Sequence, residues 1–421
     1  MPDLEPPDIT DFRGWRAWAT TAGLQPVVVI AGSRGKTIVA KLLETILRTA
    51  GLRVATWSSH GVDVDGIRQS GELGPWQEVE AGLDSGAIDI AIREVDWAIA
   101  STLATGPRLP LLAVTNVCAN REDCVLAGDA MLANVAMPAL LTAVVNQGWL
   151  VLNGEDLAVA ADLSGTRHNR LLVGLGLDGP VTEAHLATSM NIAWVAGDQL
   201  VVAHRGHVAE LGDRDELSYA LDGHANFMVF NTLMAASLAT VLGINAEAIR
   251  AGLRGYGNDP EVIPGSFNLL STGNSVLILD SPSASWHLRP VLRALRDYHR
   301  ARLLTVLSGL HGTMQSDVAE LGRLLGRVSN ILIVSDDDPS DSERMPLIAE
   351  GARRNELPPM LIPVETEIEG VRRAIGLARP RDVIYILSDD PAGLWAELKE
   401  LGPLVQFKAP DVPMRTAGVS H

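Results

Sequence analysis

One stretch constrains this chain more than any other: Pro26-Val27-Val28-Val29-Ile30-Ala31-Gly32-Ser33-Arg34-Gly35-Lys36-Thr37. Val27 to Ala31 is a short apolar run rich in β-branched residues, which predicts a buried parallel strand. Gly32 and Gly35 allow a tight turn. Val39, Leu42, Leu43, Ile46 and Leu47 then recur at helical spacing. A strand, a glycine loop, Lys-Thr and a helix, in that order, cradle phosphate, because loop amides and the helix N-terminus hold its oxygens. In such a loop Lys36 reaches the terminal phosphates and Thr37 offers its hydroxyl to Mg²⁺. Gly32, Ser33, Arg34, Gly35, Lys36 and Thr37 are therefore the candidate nucleotide-binding residues, with ATP and Mg²⁺ as candidate cofactors. Ile30 stands where the full Walker pattern has its first glycine, so the motif is the shorter Gly-x-x-Gly-Lys-Thr.

Charge narrows the partners. The net charge of −17 argues against a nucleic-acid partner, which needs a basic surface. It leaves ATP open, since one glycine loop binds phosphate on an acidic protein. With 47% hydrophobic and 20% charged residues the chain reads as a soluble α/β protein of two or three domains. Its two cysteines, Cys118 and Cys124, give no disulfide framework and point to a cytoplasmic setting. Two free thiols are the simpler reading of them than half a metal site. The uncharged stretch from Ala130 to Gly154 is broken by Asn134, Pro138, Asn146, Gln147 and Gly148. It reads as a buried helix, a turn and a strand rather than a membrane span.

Taken in order, the chain alternates strands and helices. Arg53 to Ser58 predicts a second strand, and His60 to Ile67 a loop at its carboxyl end. There Asp63 and Asp65 are either ligand contacts or turn formers. Ile88 to Val95 predicts a strand ending in Glu94, a candidate Mg²⁺-organising acid. Further strands are expected at 110–117, 149–153 and 170–174, and a hairpin at 192–210. A helix from Ala225 to Leu242 carries the internal polar residue Asn231. A boundary and hinge are expected from Gly255 to Pro260. Beyond it a smaller doubly wound unit follows, with acidic, proline-bounded strand ends at Asp280, at Asp336 to Asp338 and at Asp389 to Asp390. Those ends would line one edge.

At this point the chain resembles the Mur ligase superfamily, and within it the Mur-ligase half of cyanophycin synthetase, with the ligase subunit of poly-γ-glutamate synthase as a relative. The resemblance runs over roughly residues 25 to 390. Gly32 to Thr37 is similar to the family's Gly-Thr-x-Gly-Lys-Thr, and Asp65-Gly66-Ile67 with Gly74-Pro75 to its Asp-Gly-Ile and Gly-Pro. Val114-Thr115-Asn116-Val117 resembles Val-Thr-Asn-Ile, and Val151 to Asp156 resembles Val-Leu-Asn-Ala-Asp-Asp. The resemblance makes Glu94 the Mg²⁺-binding acid and Asn231, in Phe227-Met228-Val229-Phe230-Asn231, an adenine contact. Ile263 to Asn268 is similar to Pro-Gly-Arg-x-Asn, and Asp280 opens the segment matching Asp-Tyr-Ala-His-Asn-Pro. It implies a P-loop-type doubly wound parallel sheet over residues 1–257 and a smaller doubly wound α/β domain over 258–421. It also implies ATP-dependent amide-bond formation through an acyl phosphate. The partners would be a small-molecule or peptide carboxylate and an amino-acid amine, with no nucleic acid and no membrane.

The departures matter as much. The family's second-metal Asp-His is Asn120 and Arg121 here, and Arg121 replaces a ligand by a fixed positive charge. Met137 stands at the family's metal-supporting lysine, and Ser266 at the arginine of Pro-Gly-Arg. The ATP-grasp half of cyanophycin synthetase has no counterpart in the sequence. Lys36, Glu94 and Arg121 are the candidate catalytic residues, and one Mg²⁺, held by Thr37 and Glu94, is expected. Three readings stay open: a divergent ligase, a non-catalytic or partner-dependent nucleotide-binding subunit or homo-oligomer, and another phosphoryl-transfer enzyme.

Overall fold

The computed structural model describes residues 9–406, apart from 70–73, 103–107, 118–128, 157–158, 160–167, 272–274, 283–284, 299–300, 309, 311–314, 336–343 and 401–404. The first eleven strands are β1 (Val27–Ala31), β2 (Val54–Ser58), β3 (Gly61–Val64), β4 (Ile67–Arg68), β5 (Ile90–Val95), β6 (Leu109–Val114), β7 (Val144–Asn153), β8 (Asn169–Val173), β9 (Ile192–Ala196), β10 (Gln199–His204) and β11 (His207–Asp213). They form one sheet in the order β11-β10-β9-β8-β7-β6-β1-β5-β2-β3-β4. β1 is central and pairs in parallel with both β5 and β6.

β1 is apolar throughout because both of its faces are covered. Val28 and Ile30 pack with the helices Lys36–Thr49 and Asn226–Val241, while Val27, Val29 and Ala31 pack with Trp76, Trp97 and Met137 on the other side. The expected hairpin forms at β9 and β10, and β11 continues it.

Two expectations need correction. Residues 60–67 are not a loop, since β3 folds back antiparallel on β2. No turn separates the helix Asp129–Ala143 from β7, because the helix runs directly into the strand. The helices Gly74–Ser85, Trp97–Thr102, Pro180–Leu186 and Arg344–Arg353 were not anticipated.

The second sheet holds β12 (Asn268–Ser271), β13 (Val276–Asp280), β14 (Leu303–Leu307), β15 (Ile331–Ser335), β16 (Met360–Val364), β17 (Val383–Leu387) and β18 (Val405–Gln406), ordered β16-β15-β14-β17-β13-β12-β18. β17 alternates between its two covers. Val383, Tyr385 and Leu387 pack with Leu288, Leu325 and Ile348, and Ile384 and Ile386 pack with Val371, Ala374 and Leu394. That alternation is what helices on both faces produce.

Two buried asparagines stitch the segment between the sheets. Asn258 donates to the carbonyls of Ser266 (2.6 Å) and Phe267 (2.8 Å). Asn268 donates to the carbonyls of Asn258 and Ile263 (both 3.1 Å) and accepts from the Gly265 amide (2.8 Å). Aromatic contacts also cross between the two units, with Phe227 edge-on to both Phe267 and His287.

Candidate functional site

The carboxyl end of β1 feeds the glycine loop. Gly32 (φ 140°) and Gly35 (φ 84°) adopt backbone angles that side chains disfavour, and Gly35 caps the helix Lys36–Thr49. The loop is pinned from β6. The Ser33 amide donates to the Asn116 carbonyl (2.9 Å), and the Arg34 amide donates to Asn116 Oδ1 (3.0 Å). The Arg34 carbonyl accepts from Thr115 Oγ1 (2.6 Å) and Asn116 Nδ2 (3.1 Å). Trp97 Nε1 donates to Ser33 Oγ (3.0 Å). Two loop amides are thus bonded to protein, and anion holding falls to the helix start, whose first-turn amides have no intrahelical acceptor.

Lys36, Thr37 and Glu94 converge. Lys36 Nζ donates to the Gly32 carbonyl (2.8 Å) and lies 3.8 Å from Glu94 Oε1. Thr37 Oγ1 donates to Glu94 Oε2 (2.8 Å), which also accepts from the Ser59 amide (3.3 Å). The Ser59 hydroxyl lies 3.4 Å from that of Thr37. Of these groups, Thr37 Oγ1, the Glu94 carboxylate and Ser59 Oγ can ligate a metal, and all are oxygen, a set that suits a hard divalent cation such as Mg²⁺. No group of three His, Cys, Asp or Glu side chains among the described residues could hold a metal alone. A metal here would therefore share its coordination with phosphate oxygens.

Asn231 is buried behind the loop, so close that a Cβ on Gly35 would sit 2.6 Å from its Oδ1. Asp280, at the end of β13, faces the loop from the second sheet. Burial pushes its carboxyl up to about 6, and bonds from Tyr385 Oη and the Ser281 amide (both 3.0 Å) and the Arg34 charge offset part of the rise. His287 is lowered to about 3, by burial first and then by the charge of Arg34. Arg34 thus faces groups from the second sheet. Arg121 and Asn120 lie outside the described residues, as do Cys118, Cys124 and Asp336 to Asp338. Met137 is buried among apolar neighbours and offers a metal nothing.

The acidic edge is less open than its sequence implies. Asp280 is turned inward to Tyr385, and Asp390 accepts from the Gly393 amide at a helix start. Ser335 and Ser388, at or just past the ends of β15 and β17, are buried hydroxyls without a hydrogen-bond partner among the described residues. Asp63 and Asp65 are not at the loop. Burial alone would raise Asp63, but bonds from Arg68 (2.6 Å) and Lys41 (2.5 Å) outweigh it and hold the carboxyl below its usual range. Asp65 accepts from the Val54 amide (2.9 Å). Ser59, Trp97 and His287 join the site without having been expected. None lies in a recognisable motif, and only the polar end of the β6 segment, Thr115-Asn116, signalled its role.

The raised Asp280 carboxyl has a measurable consequence. Between the ordinary carboxylate value and about 6, the folded chain binds more protons than the unfolded one, so this group's contribution to stability falls as pH rises through that window. We expect Asp280→Asn to remove that dependence. The stability gap between parent and variant should change by roughly 2–3 kcal/mol between pH 4 and 7 in chemical denaturation. A gap that stays flat with pH would show that the carboxylate remains charged throughout.

Comparison with known proteins bears on the fold. No family model matches the chain. Cyanophycin synthetase from Trichormus variabilis is 24% identical over 379 residues, 87% of this chain and 42% of that protein. UDP-N-acetylmuramyl-tripeptide synthetase from Tropheryma whipplei is 31% identical over 195 residues, 44% of this chain and 36% of that one. E. coli FolC in complex with DHPP and ADP superposes with a TM-score of 0.62 at 15% identity, covering 94% of both chains. A bifunctional folylpolyglutamate synthase/dihydrofolate synthase with Mn, AMPPNP and L-glutamate bound gives 0.60 at 16% identity, covering 94% of this chain and 95% of that one. This chain is similar to the Mur ligases and to cyanophycin synthetase. It shares the Mur ligase/FolC fold, with its large, mainly parallel sheet. It spans about two fifths of the length of the cyanophycin synthetase it matches. Among the described residues no helix is long and apolar enough to cross a membrane.

Proposed function

We propose that this Mur ligase relative is an ATP-dependent ligase that joins a carboxylate to an amino-acid amine through an acyl phosphate. The convergence of Lys36, Thr37 and Glu94 at the start of one helix carries the reading. In it, Lys36 leaves the Gly32 carbonyl for the terminal phosphates and neutralises charge that builds during transfer. Thr37 and Glu94 hold one Mg²⁺, which when bound offsets phosphate charge. Asn231 and Gly35 set the loop's shape, and Arg34 and Asp280 join the loop to the second sheet. The acceptor carboxylate attacks the γ-phosphorus and ADP leaves. The amine then displaces phosphate from the acyl carbon and loses a proton. Residues 1–257 form the nucleotide-binding unit in this reading, and 258–421 the unit that faces it.

The test is ADP release from Mg·ATP with panels of carboxylate acceptors and amino acids, followed by mass analysis. We expect at least one pair to raise ADP release above the ATP-only rate. Its product mass should equal the two reactants less one water. If ATP binds but no pair is joined, the non-catalytic subunit reading replaces this one.

A further inference from the structure

The second sheet carries a groove that the nucleotide reading does not use. It lies between the helices Ser285–Tyr298 and Gln315–Val328 and has a volume of about 300 Å³. Arg289, Arg293 and Arg296 line one side and Arg323 and Arg327 the other, over a floor that includes Leu292 and Leu324. The spacing explains the convergence. Residues three and four apart share a helix face, so each helix presents its arginines as one row.

Five guanidinium groups on a chain of net charge −17 are not the average of its surface. Two carboxylates answer them. Glu320 pairs with Arg289 (3.2 Å) and Arg323 (2.6 Å), and Asp297 pairs with Arg296 (3.1 Å). Arg293 and Arg327 have no ion-pair partner among the described residues. The helix dipole accounts for Arg296 and Arg327, which sit in last turns. It does not account for Arg289, Arg293 and Arg323, which lie further from the ends. Like charges at this spacing repel, and a bound anion relieves that repulsion.

We propose that this groove binds a condensed phosphate, an oligoanion of the di- or triphosphate class, at a site separate from the glycine loop. Both helices run into strands: the first leads to the start of β14 and the second to the start of β15. The groove's arginines near those helix ends therefore sit toward the sheet edge opposite Asp280 and Ser388. The charge spacing selects the ligand. Arg289 to Arg296 covers about 10 Å of helix. An extended acidic peptide turns alternate side chains away, so it brings a carboxylate to the groove only about every 6.5–7 Å. A condensed phosphate carries charge on every unit, and its oxygens match the planar guanidinium fork. The volume is at the lower end for a small-molecule site and too small for a folded segment.

The experiment is equilibrium dialysis of the 421-residue chain carrying Lys36→Ala, so that the glycine loop does not take the probe. The probes are inorganic tripolyphosphate and a hexa-aspartate peptide at low salt. We expect one tripolyphosphate per chain, bound more tightly than the peptide and weakened by added salt. Adding Arg293→Gln and Arg327→Gln, both at exposed positions, should weaken it at least about tenfold with an unchanged circular dichroism spectrum. Equal binding by that variant overturns the proposal. Tighter binding of the peptide does so too, making the groove an acidic-peptide surface. No tripolyphosphate binding leaves only solvated helix arginines and also overturns it.

Discussion

Lys36→Ala should abolish nucleotide-dependent stabilisation and lower any ATP turnover by at least about 10²–10³-fold. Without ligand, Lys36 does little for the fold. It closes the loop onto the Gly32 carbonyl (2.8 Å), a bond worth about 1 kcal/mol. With ATP at a hundred times its dissociation constant, the parent chain gains about 2.7 kcal/mol. The variant should keep the parent's unfolding midpoint without nucleotide, to within that small loss, and fail to shift when Mg·ATP is added. Calorimetry that finds unchanged ATP affinity in Lys36→Ala would move the nucleotide site elsewhere.

Lys41→Met should have the largest effect on stability, about 3–5 kcal/mol. Lys41 is 5% exposed, and its ammonium bridges Glu44 Oε2 (2.7 Å) and Asp63 Oδ2 (2.5 Å), both even more buried. Methionine fills a similar volume but leaves two buried carboxylates, of which, among the described residues, only Asp63 keeps a cation, Arg68. The urea midpoint, followed by tryptophan fluorescence, measures the loss. Adding Glu44→Gln should recover part of it by removing the unpaired charge. A loss under about 1 kcal/mol would show that water reaches the network and screens it.

Much of the site could be read from the residues because it depends on local order. Strand, glycine pair, Lys-Thr and helix are contiguous, and Glu94 ends a strand whose pattern is unbroken. The register Ile30↔Glu94 then brings that acid beside the loop. Asp63 shows where such reading stops. Its sequence neighbours, Val62, Val64 and Gly66, fit a ligand loop or a hairpin equally well. The partner that decides, Lys41, is 22 residues away on a helix face that propensity treats as solvent-facing. Asp280 shows the same limit, since its carboxyl looks like an exposed turn acid until Tyr385, 105 residues on, is seen to bond it. Met137 followed its apolar pattern into the core.

The asparagine-stitched connection between the sheets bears on how force passes through the molecule. Asn258 and Asn268 bond across residues 258–268 from both ends, so this part of the connection has little torsional compliance. Asn268 is also in register with Leu279, the residue before Asp280. A pull on Arg34 by a bound ligand, transmitted through Asp280, therefore acts on a stiff strut. The rotation it produces has to be taken up outside that strut, at Gly255 to Gly257 or by sliding of the aromatic contacts between the two units.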